Sequence, residues 1–333
     1  MSQLPSLPPN AGDALDIPFP LSTTVGALEL GVLVAIFLSG VLTVQLYIYF
    51  DRFPKDPTSL KVMVALVWIL DFGHTLALGH FIYTITVVQY GQPALLAIPP
   101  KSLDVSILLS GFIGPLEQGW FTYRLYRFTK TLPLPVICAG LSLLRLGGST
   151  ALFAYTLKEP TIQEYATHLN WLIEAVVIVG AAVDAILATA LCYYLSFWRT
   201  GFRRTNKLLN QLMTWTIETG AVTTTGALAL LLTFLTMKDN CAASTYESYS
   251  DQVEQILVVY LGLFCLMAKL FSNSLLFSLN ARERFARICA EVISVAGFEL
   301  GHEAVNLVSP CSPVAVLQGK KMAAAPSSTH PHH

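Results

Sequence analysis

Charge is the scarcest thing in this chain. Asp, Glu, Lys and Arg together make up 12% of its 333 residues, and 54% are hydrophobic. A soluble domain of that size carries about 25% charge. The shortage excludes an ordinary solvated surface and points to a bilayer as the chain's solvent. Cysteine is sparse and scattered, with six at positions 138, 192, 241, 265, 289 and 311. No C-x-x-C and no Cys/His spacing occurs, so neither a disulfide framework nor a zinc site is indicated. The net charge of −1, with no basic patch interleaved with aromatics outside the loops, argues against a nucleic-acid partner. No Asn-x-Ser/Thr acceptor is present. Residues 1–23 hold no Lys or Arg but five prolines, so they lack the basic start of a signal peptide and read as a flexible tail.

What the chain has in quantity is long apolar runs. Seven of them, near 24–50, 61–88, 104–126, 133–156, 170–197, 211–237 and 253–280, are each long enough to cross about 30 Å of hydrocarbon. The reading is an all-α membrane protein, a seven-transmembrane helix bundle. Of the 20 Lys and Arg, fifteen fall on one side, in the loops after segments one, three and five and in the C-terminal tail; three, Lys101, Lys158 and Lys238, fall on the other. The positive-inside rule then places the N-terminus outside and the C-terminus in the cytoplasm, in a plasma or internal membrane. Residues 281–333 read as an inner tail, with an amphipathic start over Phe285 to Leu300 and a Pro/Ser/Ala/His-rich remainder expected to be disordered.

Six ionisable residues lie deep in these runs, one on each of segments two to seven: Asp71, Glu117, Arg145, Asp184, Glu218 and Lys269. Counted from the basic ends of their helices, they lie roughly 12–18 Å in, at a common depth near the midplane. A lysine inside an apolar helix costs about 2.5–3.5 kcal/mol on insertion scales, so Lys269 is expected to face protein and to have a partner. Gly262, Cys265, Lys269, Asn273 and Asn280 share one stripe of their helix. Four acids and two bases leave a formal −2, which calls either for two protonated acids or for a cation among them. His74, three residues after Asp71 on the same face, would suit an Asp–His relay, but a histidine hydrogen-bonded at a helix contact is the favoured reading. Two readings of the whole layer stay open. It is a polar network around a small ligand or cation in the bundle interior, or a paired network that orients helices and binds nothing.

Catalysis is not expected. Only His74 and His80 lie in apolar segments, on opposite faces, so no metal site, nucleophile cluster or cofactor is indicated. A receptor or sensor fits the topology, with the basic inner loops as the place for a cytoplasmic partner. The third segment nevertheless ends Tyr123-Arg124-Leu125-Tyr126-Arg127, without an acidic-Arg-Tyr triplet, and the seventh has no Asn-Pro-x-x-Tyr. A retinal protein would explain Lys269, but the sixth segment has no proline. A small-solute or proton-coupled carrier is the alternative; no inverted repeat or broken-helix pair supports the common carrier folds.

Several motifs recur together. They are Gln45-Leu46-Tyr47-Ile48-Tyr49-Phe50 with Phe53-Pro54-Lys55-Asp56, Tyr83-Thr84-Ile85 with Gln89-Tyr90-Gly91, and Gln118-Gly119-Trp120-Phe121-Thr122-Tyr123-Arg124. Further on come Gly180-Ala181-Ala182-Val183-Asp184, Leu191-Cys192-Tyr193-Tyr194-Leu195, Glu218-Thr219-Gly220 and Ser272-Asn273-Ser274-Leu275-Leu276 with Leu279-Asn280-Ala281-Arg282. With these the chain resembles, over most of 25–284, a large fungal, chiefly basidiomycete, family of seven-helix integral membrane proteins with a C-terminal domain of unknown function. Phe271 departs from the tyrosine more common there. The resemblance implies the fold and a fungal membrane, and no ligand or reaction.

Overall fold

The computed structural model describes residues 21–90, 98–158, 169–197 and 261–282, and within 220–232 the residues 220–221, 223–226, 228–229 and 232. Among the described residues the secondary structure is helical throughout. Helix α1 spans Leu21–Arg52 and α2 Thr58–Tyr83, continued by a π-helical turn over Thr84–Val88. Then come α3 at Lys101–Thr129, α4 at Pro133–Thr156 and α5 at Asn170–Phe197. The described residues within 220–232 form α6, and Leu261–Arg282 form α7.

Two tight turns fold the first four helices antiparallel. Between α1 and α2, Pro54 and Pro57 interrupt the helical ladder, and Pro57, in an extended conformation, stands at the head of α2. Lys130 closes α3 in the left-handed region, at φ 52°, with its N–H on the Tyr126 carbonyl at 2.8 Å. Pro133 then opens α4 at its first turn, where a missing N–H costs nothing. Both turns lie at one end of the bundle. That end carries Arg52, Lys55, Lys61, Arg124, Arg127, Lys130 and Arg282, and is called the basic end below.

Five helices, α1, α2 with its π turn, α4, α5 and α7, are long and apolar enough to cross a membrane. Their outward faces are apolar and exposed: Leu30, Leu33 and Phe37 on α1, Ile69 and Leu76 on α2, Leu143 and Leu144 on α4. Such faces have no place in water and fit lipid tails. The bundle is therefore that of a multi-pass integral membrane protein. Helix α3 is long enough but too polar to join the five, because it sits inside the bundle, against α2, α4 and α5. Asp104, Ser106, Glu117, Gln118, Thr122 and Arg124 are all buried on it, and it runs unbroken through Pro115. Helix α7 is the most enclosed of the five apolar helices: 56% of its apolar window is buried, against 22–28% in the others.

The ends of α4 and α5 coincide with the expected segments, and α1 and α3 extend theirs by two or three residues at each end. Of the expected tails, 1–23 and 281–333, residues 21–23 belong to α1 and 281–282 to α7; the rest lies outside the described residues, as does most of the expected sixth segment.

Candidate functional site

The polar stripe of α7 faces α1 and α2. At its top Gly262 meets Gly31 of α1 so closely that a Cβ on Gly31 would stand 2.9 Å from the Gly262 Cα. Below it Cys265 and Lys269 are fully buried. The Lys269 ammonium lies 2.9 Å from Asp71 Oδ2, with both side chains at 0% exposure. It also donates to the Asp71 carbonyl at 2.8 Å and to Thr75 Oγ1 at 2.6 Å. All three protons of the ammonium are thus used, which offsets much of its desolvation.

Helix α1 completes this centre. Ser39 donates to Asp71 Oδ2 at 2.7 Å, and the Thr75 hydroxyl is within reach of Ser39 Oγ at 3.0 Å and of the Asp71 carbonyl at 2.9 Å. One turn below Lys269, Asn273 Nδ2 donates to the Leu38 carbonyl at 3.1 Å and to the Lys269 carbonyl at 2.8 Å, while Gln45 donates to its Oδ1 at 3.2 Å. Two turns further, Asn280 donates to the Gln45 carbonyl at 2.9 Å. The stripe is a ladder of polar rungs holding α7 to α1, with the ion pair to α2 in its middle.

A second polar centre joins α3, α4 and α5. Gln118 donates to Asp184 Oδ1 at 2.8 Å and to the Gly180 carbonyl at 3.2 Å, and accepts from Ser142 at 3.1 Å. The Arg145 guanidinium lies beside it in a slot that only glycines leave open. A Cβ on Gly114 would stand 2.9 Å, and one on Gly180 2.8 Å, from its Cζ. Its other face covers the Phe271 ring of α7 at 4.8 Å, a cation–π contact. Glu117 is buried within electrostatic reach of Arg145 and Asp184. Arg145 Nη1 and Asp184 Oδ2 are buried without hydrogen-bond partners.

The expected residues are therefore brought together in two groups rather than one. Asp71, Lys269 and Asn273 form the first; Glu117, Arg145 and Asp184 form the second, with Phe271 between them. His74 is fully buried, but neither ring nitrogen has a hydrogen-bond partner, so no Asp71–His74 relay and no helix-contact hydrogen bond is formed. Glu218 lies outside the described residues. Ser39 and Thr75, not singled out in the sequence, take part, as does Gln118, named there only as a motif residue. Thr75 could have been found, since it stands one turn after Asp71 on the same face. Ser39 and Gln118 carried no such signal.

A third cluster lies at the basic end. Arg282, in the last turn of α7, pairs with Asp56 of the α1–α2 turn at 2.6 Å, and Tyr49 donates to the same carboxylate oxygen at 2.8 Å. The guanidinium covers the Phe53 ring at 4.4 Å. Its side chains are 14% and 15% exposed, so the pair keeps contact with water. A double-mutant cycle of Asp56→Ala and Arg282→Ala on unfolding free energy is expected to give a coupling of about 1 kcal/mol. Additive single effects would show that the two side chains merely lie side by side.

Residues 180–284 match the model of a family described as Family of unknown function (DUF6534). Neither a curated protein nor a solved structure matches. The matched stretch takes in α5 from Gly180 onward and all of α7, so Asp184, Lys269, Asn273 and Arg282 lie inside it. Their partners Asp71, Gln118, Arg145 and Asp56 lie before it. Among the described residues, no group of three His, Cys, Asp or Glu is placed to hold a metal ion.

Proposed function

We propose that this chain is a non-enzymatic, receptor-like membrane protein that crosses the bilayer seven times, N-terminus outside and C-terminus in the cytoplasm. Its output is a change in how α7 sits against α1 and α2. The basic end supports the orientation, since Lys and Arg collect on the cytoplasmic side. The observation that carries the function is the Lys269–Asp71 pair at 2.9 Å, sealed from solvent in an apolar bundle. A buried pair adds little stability over apolar side chains of the same size, but breaking it is costly. It therefore sets one helix arrangement against others. A small polar ligand or cation that binds Asp71 or Lys269 better in a second arrangement shifts the population toward it.

The test uses a fluorophore on Phe277→Cys, an exposed position of α7, in protein otherwise freed of cysteine and reconstituted in lipid. Asp71→Asn and Lys269→Ala are both expected to move the emission in the same direction, and wild-type vesicles are expected to pass no more protons than empty ones. Emission unchanged in both variants would remove the reading. A carrier is the second reading, favoured by the unpartnered Asp184 Oδ2 and Arg145 Nη1 beside buried Glu117. Proton flux in wild-type vesicles, abolished in Asp184→Asn, would select it.

A further inference from the structure

The basic end holds a group that none of the foregoing uses. Arg124 of α3 is 5% exposed, well inside the bundle. Its Nη1 donates to Ser278 Oγ of α7 at 3.3 Å, and its guanidinium lies 5.8 Å from the centre of the Phe128 ring. The Cys192 thiol of α5 is within its electrostatic reach. Nε and Nη2 are buried and have no acceptor among the described residues. Those two atoms form the edge of a guanidinium that presents two parallel N–H bonds, the edge that fits a carboxylate or phosphate oxygen pair. Two further donors of α3 are also buried and unpartnered: Trp120 Nε1 one turn above and Arg127 Nε one turn below. Positions 120, 124 and 127 fall on one stripe of the helix. These three donor groups share one stripe and meet no acceptor among the described residues, which leaves room for an acceptor from outside the chain. Several oxygens and a negative charge are needed to meet them.

We propose that the Arg124 edge is a binding site for a phosphate group, entering at the basic end between α3, α5 and α7. The phosphate is that of an anionic lipid headgroup or of free phosphate. Basic recesses between helices at the cytoplasmic side of a membrane are where phosphorylated headgroups bind. Bidentate pairing explains why an arginine stands here, since a lysine would present a point charge without the fork.

The test is equilibrium binding to the purified full chain in detergent, with dioctanoyl phosphatidylinositol 4-phosphate and inorganic phosphate as probes and dioctanoyl phosphatidylcholine as the neutral control. Saturable binding of the phosphoinositide is expected, weakened about tenfold or more by Arg124→Gln and partly restored by Arg124→Lys. Competition by inorganic phosphate at comparable concentration identifies free phosphate as the occupant; failure of that competition identifies the lipid. Wild-type protein that saturates with neither probe overturns the site. So does binding that Arg124→Lys leaves unchanged, and this holds even where Arg124→Gln fails to fold. Trp120→Phe, which keeps the ring and removes the donor, is expected to weaken binding severalfold.

Discussion

Asp71→Leu is expected to destabilise the folded protein by about 3 kcal/mol, and Lys269→Met by a similar amount, because each strands the other charge in an apolar interior. The estimate sits at the low end for a broken buried pair. Without the carboxylate, Lys269 still reaches the backbone carbonyl of residue 71 and Thr75 Oγ1; without the ammonium, the Asp71 carboxylate still accepts from Ser39. The double variant Asp71→Leu/Lys269→Met leaves no charge to strand and should return to within about 1 kcal/mol of wild type. Reversible unfolding by denaturing detergent in mixed micelles measures all four proteins. The non-additivity, about 5 kcal/mol, is the signature. Single variants as stable as wild type would mean that Lys269 and Asp71 do not meet, and the receptor reading would fall with them. A stable but reporter-shifted double variant would separate what the pair does for stability from what it does for helix position.

Which parts of this were legible beforehand follows from the physics of each signal. An ionisable residue in an apolar run is conspicuous because lipid penalises it, so Asp71, Lys269 and Asp184 stand out from composition alone. The stripe through Gly262, Lys269 and Asn273 is readable because a helix has a fixed period. Which helix that stripe faces is not readable, since nothing local in α7 names α1. Two groups rather than one was equally hidden. A shared depth fixes one coordinate of Arg145 and Lys269, and the Phe271 ring that stands between the two groups depends on the rotation of α7. Asp56 and Arg282 were quoted only as motif residues. A charge at a helix end reads as a solvated one, and their pairing is a fact of how the first turn lies across the end of α7. The polar residues of α3 are no bar to its counting among the expected segments, because an interior helix need not be as apolar as one facing lipid.

The second large effect concerns Gly31. Helix α1 turns Leu28, Val32, Ala35, Ser39 and Leu42 inward, and Gly31 belongs to this buried side. A Cβ there would stand 2.9 Å from Cα, 3.1 Å from O and 3.3 Å from C of Gly262. These are backbone atoms of a helix and cannot rotate aside as a side chain would, so Gly31→Ala has to move α1 away from α7. Close approach through small residues is a main source of helix association in lipid, where no hydrophobic force adds to it. The displacement is carried down the ladder to hydrogen bonds already at 3.1 Å and 3.2 Å, Asn273 to Leu38 and Gln45 to Asn273. A loss of about 1–3 kcal/mol is expected from overpacking. The control is on the same helix. Gly40 is exposed and a Cβ there would meet nothing within 4 Å, so Gly40→Ala should be neutral or stabilising by up to about 1 kcal/mol from helix propensity. Mixed-micelle unfolding compares the two directly, and the opposite signs are the test. Equal effects at both glycines would show that α1 and α7 are not in backbone contact, and the ladder of rungs between them would then lack its upper anchor.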